Sequence, residues 1–124
     1  MTGGIAGDMT GGIAGDMTGD DLLRVLATLA NPHRLRIVAA LAVQRNYVSQ
    51  LARELDMSRA LLQVHLRKLQ AAGLVSADIE VSEDGKAMKF YDVTPFALRL
   101  TPETIMAAVR TLHADYELEP EARR

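Results

Sequence analysis

Between Ser49 and Val75 the chain reads SQLARELDMSRALLQVHLRKLQAAGLV, two apolar-periodic runs separated by only Asp56-Met57. Leu51, Ala52 and Leu55 recur at helical spacing in the first run, and Leu62, Leu66 and Leu69 do so in the second. Ser49 and Ser58 are each placed to cap the helix that follows, because a side-chain oxygen there can accept from an otherwise unpaired backbone N–H. Gly73 is a good residue to end the second helix. A short helix, a tight link and a longer helix are thus the pattern around which everything else must be arranged.

Upstream, Leu22, Leu23, Val25, Leu26 and Leu29 give a first helix from Asp20 to near Ala30. Asn31-Pro32 restarts the chain, since Asn caps well and Pro suits the first helical position. That second helix runs from about Pro32 to Gln44 with Leu35, Ile37, Val38 and Leu41 inward, and Arg45-Asn46-Tyr47 breaks it. Beyond Gly73 the period becomes alternating, with Ile79 and Val81, then Met88 and Phe90, flanking SEDGK. Asp84-Gly85 is a strong hairpin signal because Gly takes positive φ without steric cost. Thr94-Pro95 ends the second strand, Thr101-Pro102-Glu103 starts a last helix, and Ile105, Met106, Val109 and Leu112 give that helix an apolar stripe.

A chain of 124 residues supports one modest core, so one folded domain is expected. It spans residues 20–117, between a Gly-rich tail at 1–19 and a frayed polar tail at 118–124. The first tail repeats MTGGIAGD twice and then begins again with MTGD. Two octads are too few and too short for a solenoid, and a flexible, duplicated start region explains them, with Met9 or Met17 as alternative starts. The absence of cysteine removes disulfides, thiolate metal sites and thiol redox sensing. No apolar run approaches the roughly 18 residues of a membrane span, and no signal-peptide pattern is present, so a soluble, cytoplasmic protein is expected.

The net charge of −2 conceals a segregation along the chain. Residues 1–30 carry −3 and residues 73–124 carry −4, whereas residues 31–72 carry +5 through Arg34, Arg36, Arg45, Arg53, Arg59, Arg67 and Lys68 against Glu54 and Asp56. A local cationic segment on an otherwise acidic chain suits a protein that offers one face to phosphates.

The order helix, helix, short helix, tight turn, helix, two-stranded hairpin, helix is that of a winged helix-turn-helix: a mainly α, α+β fold of about five helices with a two-stranded β-hairpin wing. NPHRLRIVAAL, YVSQLARELDMSRALLQVHLRKLQAAGLV and the DGK hairpin ending in FYDV together resemble the ArsR/SmtB family of winged-helix transcriptional regulators, over roughly residues 20–112. The resemblance implies a homodimer joined by the first and last helices, with recognition helices in successive major grooves about one DNA turn apart. The apolar residues of the end helices support such an interface, through Leu22, Leu23, Leu26, Ile105, Met106, Val109 and Leu112.

Family members often sense metals through cysteines on the short helix or a His/Asp/Glu set on the last. Here the short helix offers Val48, Ser49 and Gln50, and the last offers His113, Asp115 and Glu117, with Tyr116 three beyond the histidine. A divalent site needs three or four converging ligands, so neither metal nor cofactor is expected. The effector is not written in the sequence. His33 and His65 read as structural or phosphate-facing rather than as ligands.

On a helical wheel of the fourth helix, Leu62, Leu66 and Leu69 form the core stripe and Ala60, Val64, Arg67 and Ala71 the opposite side. Arg59 and Gln63 flank that outward side on one edge, and Leu61, His65 and Lys68 on the other. With double-stranded DNA as partner, Arg59 suits guanine, Gln63 suits adenine, and Leu61 and Val64 meet thymine methyls or exclude water. Arg67, Lys68, Lys86 and Lys89 suit phosphates, and Ser58 and Ala60 complete the helix start facing the duplex. The alternative is a protein-interaction module using the Leu61/Val64 surface. Catalysis is not expected: the chain shows no nucleophile with an adjacent base, no paired carboxylates in a cleft and no phosphate-cradling Gly loop between strand and helix.

Overall fold

The computed structural model describes residues 17–113. The octad copies at 1–16, the polar tail at 118–124, and Asp115, Tyr116 and Glu117 lie outside the described residues. In chain order the elements are α1 (Gly19–Leu29), α2 (Pro32–Val43), β1 (Asn46–Tyr47), α3 (Val48–Leu55), α4 (Arg59–Ala71), β2 (Val75–Val81), β3 (Ala87–Val93) and α5 (Pro102–Val109). They divide into two units, one built from α1 and α5 and the other from residues 32–94.

In the first unit, α1 begins at Gly19, slightly earlier than the apolar period indicates, because Thr18 supplies the cap. Its Oγ1 accepts from the Asp21 amide at 3.1 Å, and the Asp21 carboxylate accepts from the Thr18 amide at 3.4 Å. The Gly19 amide donates to Thr111 Oγ1 at 2.8 Å, and a Cβ at Gly19 would collide with the Ala108 carbonyl. Glycine is therefore what lets the start of α1 lie against α5. Thr101 and Thr104 form a second reciprocal capping pair at the start of α5, with Pro102 at the first helical position. Leu112 lies just past the end of α5, in a tightened turn where its amide donates to the Val109 carbonyl at 3.1 Å.

In the second unit, α2, α3 and α4 pack with a small sheet. Ile37 and Leu41 from α2, Leu51 from α3, and Leu62, Leu66 and Leu69 from α4 are buried, as are Leu74, Val75 and Tyr91. Each such leucine contributes roughly 1.5–3 kcal/mol by leaving water. The phase of α2 differs from expectation at one position. Leu35 is 54% exposed, and Arg34 takes the inward place because it precedes Ile37 by three residues and Leu41 by seven.

The sheet has three strands in the order β1-β3-β2, not the two expected. Asn46 and Tyr47, which do break the helical period, pair antiparallel with Tyr91 and Phe90. Ser49 is not the cap of α3. The helix starts at Val48, two residues earlier than a Ser49 cap implies, with Tyr47 at the cap position and no side-chain cap bond.

α3 and α4 end in the same way. After α4, Gly73 adopts φ 79°, its amide donates to the Gln70 carbonyl, and the Leu74 amide donates to that of Leu69. After α3, Asp56 adopts φ 55°, its amide donates to Arg53, and the Met57 amide donates to Ala52. Asp56 thus does at the helix-helix turn what Gly73 does at the start of the hairpin. Asp tolerates the left-handed region better than most side chains.

Candidate nucleic-acid interface

The second helix of the helix-turn-helix, α4, carries the candidate site. Ser58 Oγ accepts from the Leu61 amide at 3.1 Å, which fixes the first turn. Leu62, Leu66 and Leu69 are fully buried, so the opposite side is set by helical geometry. Ser58, Arg59, Ala60, Leu61, Val64, Arg67 and Lys68 are all exposed, and Gln63 is half-buried. The structure therefore places seven of these residues on α4 and Ser58 at its cap.

His65 is the exception on the wheel. Expected on an outward edge, it is 5% exposed and faces α2, where Arg34 Nε donates to its Nδ1 at 3.1 Å. The His33 ring lies 5.3 Å away, tilted by 37°. An imidazole nitrogen that accepts is unprotonated, so the other nitrogen carries the proton in this arrangement. The pair ties the recognition helix to α2 by a polar contact within the core.

Two cations of the basic segment are committed elsewhere. Arg34 is 1% exposed and belongs to the core. Arg45 Nη2 pairs with Glu80 at 2.6 Å, and its guanidinium lies 4.6 Å from the centre of the Phe90 ring, which Tyr47 meets edge-on. Arg45 stays exposed despite these contacts, and the other exposed cations of that segment are Arg36, Arg53, Arg59, Arg67 and Lys68. An open groove along the helix-helix turn is bordered by Ser49, Arg53, Asp56, Ser58 and Arg59. Arg53, Arg59 and the serines on its border suit a phosphate oxygen, with the Asp56 carboxylate as the acidic group beside them.

The hairpin of β2 and β3 forms the wing. Its register pairs Ile79 with Lys89 and Val81 with Ala87, and Ile79 and Val81 are each 68% exposed, so the alternating apolar pattern buries little toward the tip. The Gly85 amide donates to the Ser82 carbonyl at 2.9 Å, and Gly85 adopts φ 87°, as the Asp84-Gly85 signal requires. The Ser82 hydroxyl, together with the Lys86 amide, holds the Asp84 carboxyl below the usual carboxylate range. The bonds at the turn that need this carboxylate are accordingly complete above that range and lost only as pH falls through the lowered value. Lys86 is exposed beside the turn, and Lys89 is exposed with its ammonium 5.5 Å from the centre of the Tyr91 ring.

The interface residues expected on the end helices fall into two groups. Leu22 is buried within the chain, and Leu23 and Leu26 are half-buried. On and just beyond α5, Ile105, Met106, Val109 and Leu112 are 43%, 64%, 56% and 40% exposed. His113 is engaged with α1: its amide donates to Asp20 at 3.0 Å, and its Nδ1 lies 3.8 Å from the same carboxylate. Among the described residues, no three His, Asp or Glu side chains are grouped to hold a metal ion.

A family model described as bacterial regulatory protein, arsR family, matches residues 31–77. An HTH-type transcriptional regulator from Methanocaldococcus jannaschii is 35% identical over 85 residues, which cover 68% of this chain and 88% of the relative. The chain belongs to the ArsR family. Its fold matches a homodimeric winged helix-turn-helix DNA-binding domain from Mycobacterium bovis with a TM-score of 0.55 at 26% identity, covering 73% of this chain and 76% of that one. NolR from Sinorhizobium fredii matches with a TM-score of 0.53 at 25% identity, covering 73% and 79%. This ArsR-family chain is thus a transcriptional regulator with a winged helix-turn-helix fold, and α4 stands in the recognition position of that fold. No described helix of this ArsR-family protein is long and apolar enough to cross a membrane.

Sequence reading missed the Arg34–His65 pair, β1, and the Arg45 contacts. Each has a local cue in retrospect. Arg34 shares the helical face of Ile37 and Leu41, and Asn46-Tyr47 precedes α3 at a point where an edge strand can pair with FYDV.

Proposed function

We propose that the protein is a cytoplasmic, sequence-specific DNA-binding repressor that acts as a homodimer on double-stranded DNA, by binding alone and without a metal cofactor. The observation that carries this reading is the exposed face of α4, where Arg59, Gln63, Arg67 and Lys68 surround Leu61 and Val64. Arg59 and Gln63 read guanine and adenine edges, while Arg67, Lys68, Lys86 and Lys89 hold phosphates. The dimer reading is supported by the exposed stripe of Ile105, Met106, Val109 and Leu112 and by the homodimeric state of the Mycobacterium bovis domain. The lack of cysteine in the sequence, and of a second histidine beside His113, supports a signal other than a metal. A dimer seated over a promoter blocks transcription by occupancy alone.

The salt dependence of duplex binding tests phosphate gripping. Log affinity should fall linearly with log salt, and Arg67→Ala should reduce the slope by about 1. An unchanged slope in Arg67→Ala would remove this residue from the interface.

The exposure of Leu61 and Val64, at 40% and 42%, also favours a second reading, in which this face docks a protein. It expects weak DNA binding and retention of a protein partner that Leu61→Ala abolishes.

A further inference from the structure

The first two turns of α4 present little hydrogen-bonding chemistry on their outward side. The Ser58 oxygen is already engaged with the Leu61 amide at 3.1 Å. Ala60, Leu61 and Val64 are exposed and aliphatic, and only Arg59 and Gln63, along the other edge, carry polar ends. Leu61 and Val64 are three residues apart, so their side chains are adjacent on the helix surface and form one patch.

Building on the DNA-binding reading above, we propose that Leu61 and Val64 determine operator specificity by packing against the 5-methyl groups of thymines in the major groove. The occupant follows from charge and from chemistry. The patch lies among the exposed cations Arg59, Arg67 and Lys68 on the same helix, with Arg53 across the turn, which suits a polyanion. Within a major groove every base-pair edge offers donors and acceptors, and the thymine methyl is the one apolar group. An aliphatic side chain pressed on a G·C edge would strip water from N7, O6 and N4 and return no bond. Pressed on a thymine methyl, it removes apolar surface from water on both sides. Selection is therefore partly by exclusion, and each half-site should set thymines under Leu61 and Val64 beside the purines read by Arg59 and Gln63.

The test compares a duplex selected by the full chain from a random pool with the same duplex in which every thymine is deoxyuridine. That exchange deletes the methyl and keeps base pairing and all other groove groups. Wild-type affinity should fall about fourfold for each contacted methyl. Leu61→Ala/Val64→Ala should bind both duplexes alike while keeping its salt dependence. Both positions are exposed and alanine favours helix, so α4 persists in this variant, as circular dichroism can verify. Specific binding by wild type with equal affinity for the two duplexes overturns the methyl contact and leaves DNA binding standing. A double variant that retains the wild-type thymine preference also overturns it, and assigns the patch to another partner. Failure of wild type to select any duplex overturns the DNA-binding reading itself, and the methyl contact with it.

Discussion

Arg34 and Arg36 stand two residues apart in α2 and do opposite work. Arg36 is exposed and contributes to the cationic surface, whereas Arg34 is 1% exposed and donates to His65 on the recognition helix. Truncating Arg34 to Ala removes a charged hydrogen bond and the packing of its alkyl stem. The expected loss is about 2–4 kcal/mol of unfolding free energy, read from urea denaturation. Arg36→Ala should change stability by less than about 0.5 kcal/mol. Equal effects at the two positions would mean that the buried pair holds nothing together. The pair was not legible in advance for a physical reason. An arginine on an amphipathic helix ordinarily points to water, and it can turn inward only where another element supplies an acceptor. That acceptor sits 31 residues further along the chain, on a helix whose own polar edge read as outward. The positions governed by a helix's core face were legible, because burial of Leu62, Leu66 and Leu69 dictates which side chains remain on the other side.

Among the elements, caps and turns explain both the agreements and the departures. α4 and the wing turn lie where Ser58, Gly73 and Gly85 indicate, because each supplies a cap or a positive φ that few alternatives provide. β1 escaped because two residues carry no periodicity, and their extended state depends on β3 as a partner. The start of α3 escaped because its cap position is filled by Tyr47 without a side-chain bond, so no cap signal marks it. Gly19 is the sharpest test at this scale. It falls within the restarted repeat MTGD, yet Thr18, Gly19 and Asp20 each have a structural role against α1 or α5. Gly19→Ala favours helix formation intrinsically, by roughly 1 kcal/mol in a helix interior. Because its Cβ would meet the Ala108 backbone carbonyl, the expected net effect is instead destabilisation of the α1–α5 pair. Faster hydrogen exchange across residues 102–112 in Gly19→Ala would show it, and unchanged protection there would refute the close packing.

For the whole molecule, the charge pattern along the chain and the apolar stripe of α5 make separate demands. The central segment retains exposed Arg36, Arg53, Arg59, Arg67 and Lys68, while the stretches before and after it are net acidic. Binding to DNA should therefore be confined to one face of each protomer and should not be generally electrostatic. In the proposed homodimer a second copy of the chain covers the exposed Ile105, Met106, Val109 and Leu112 and doubles the number of recognition helices. Two recognition helices related by a two-fold axis read an inverted repeat, with half-site centres about 10–11 base pairs apart. Selection of bound duplexes from a random pool by the full-length chain tests this directly. Enrichment of an inverted repeat with that spacing is the expected result, and the absence of any enriched sequence, or enrichment of a single unrepeated half-site, would contradict it.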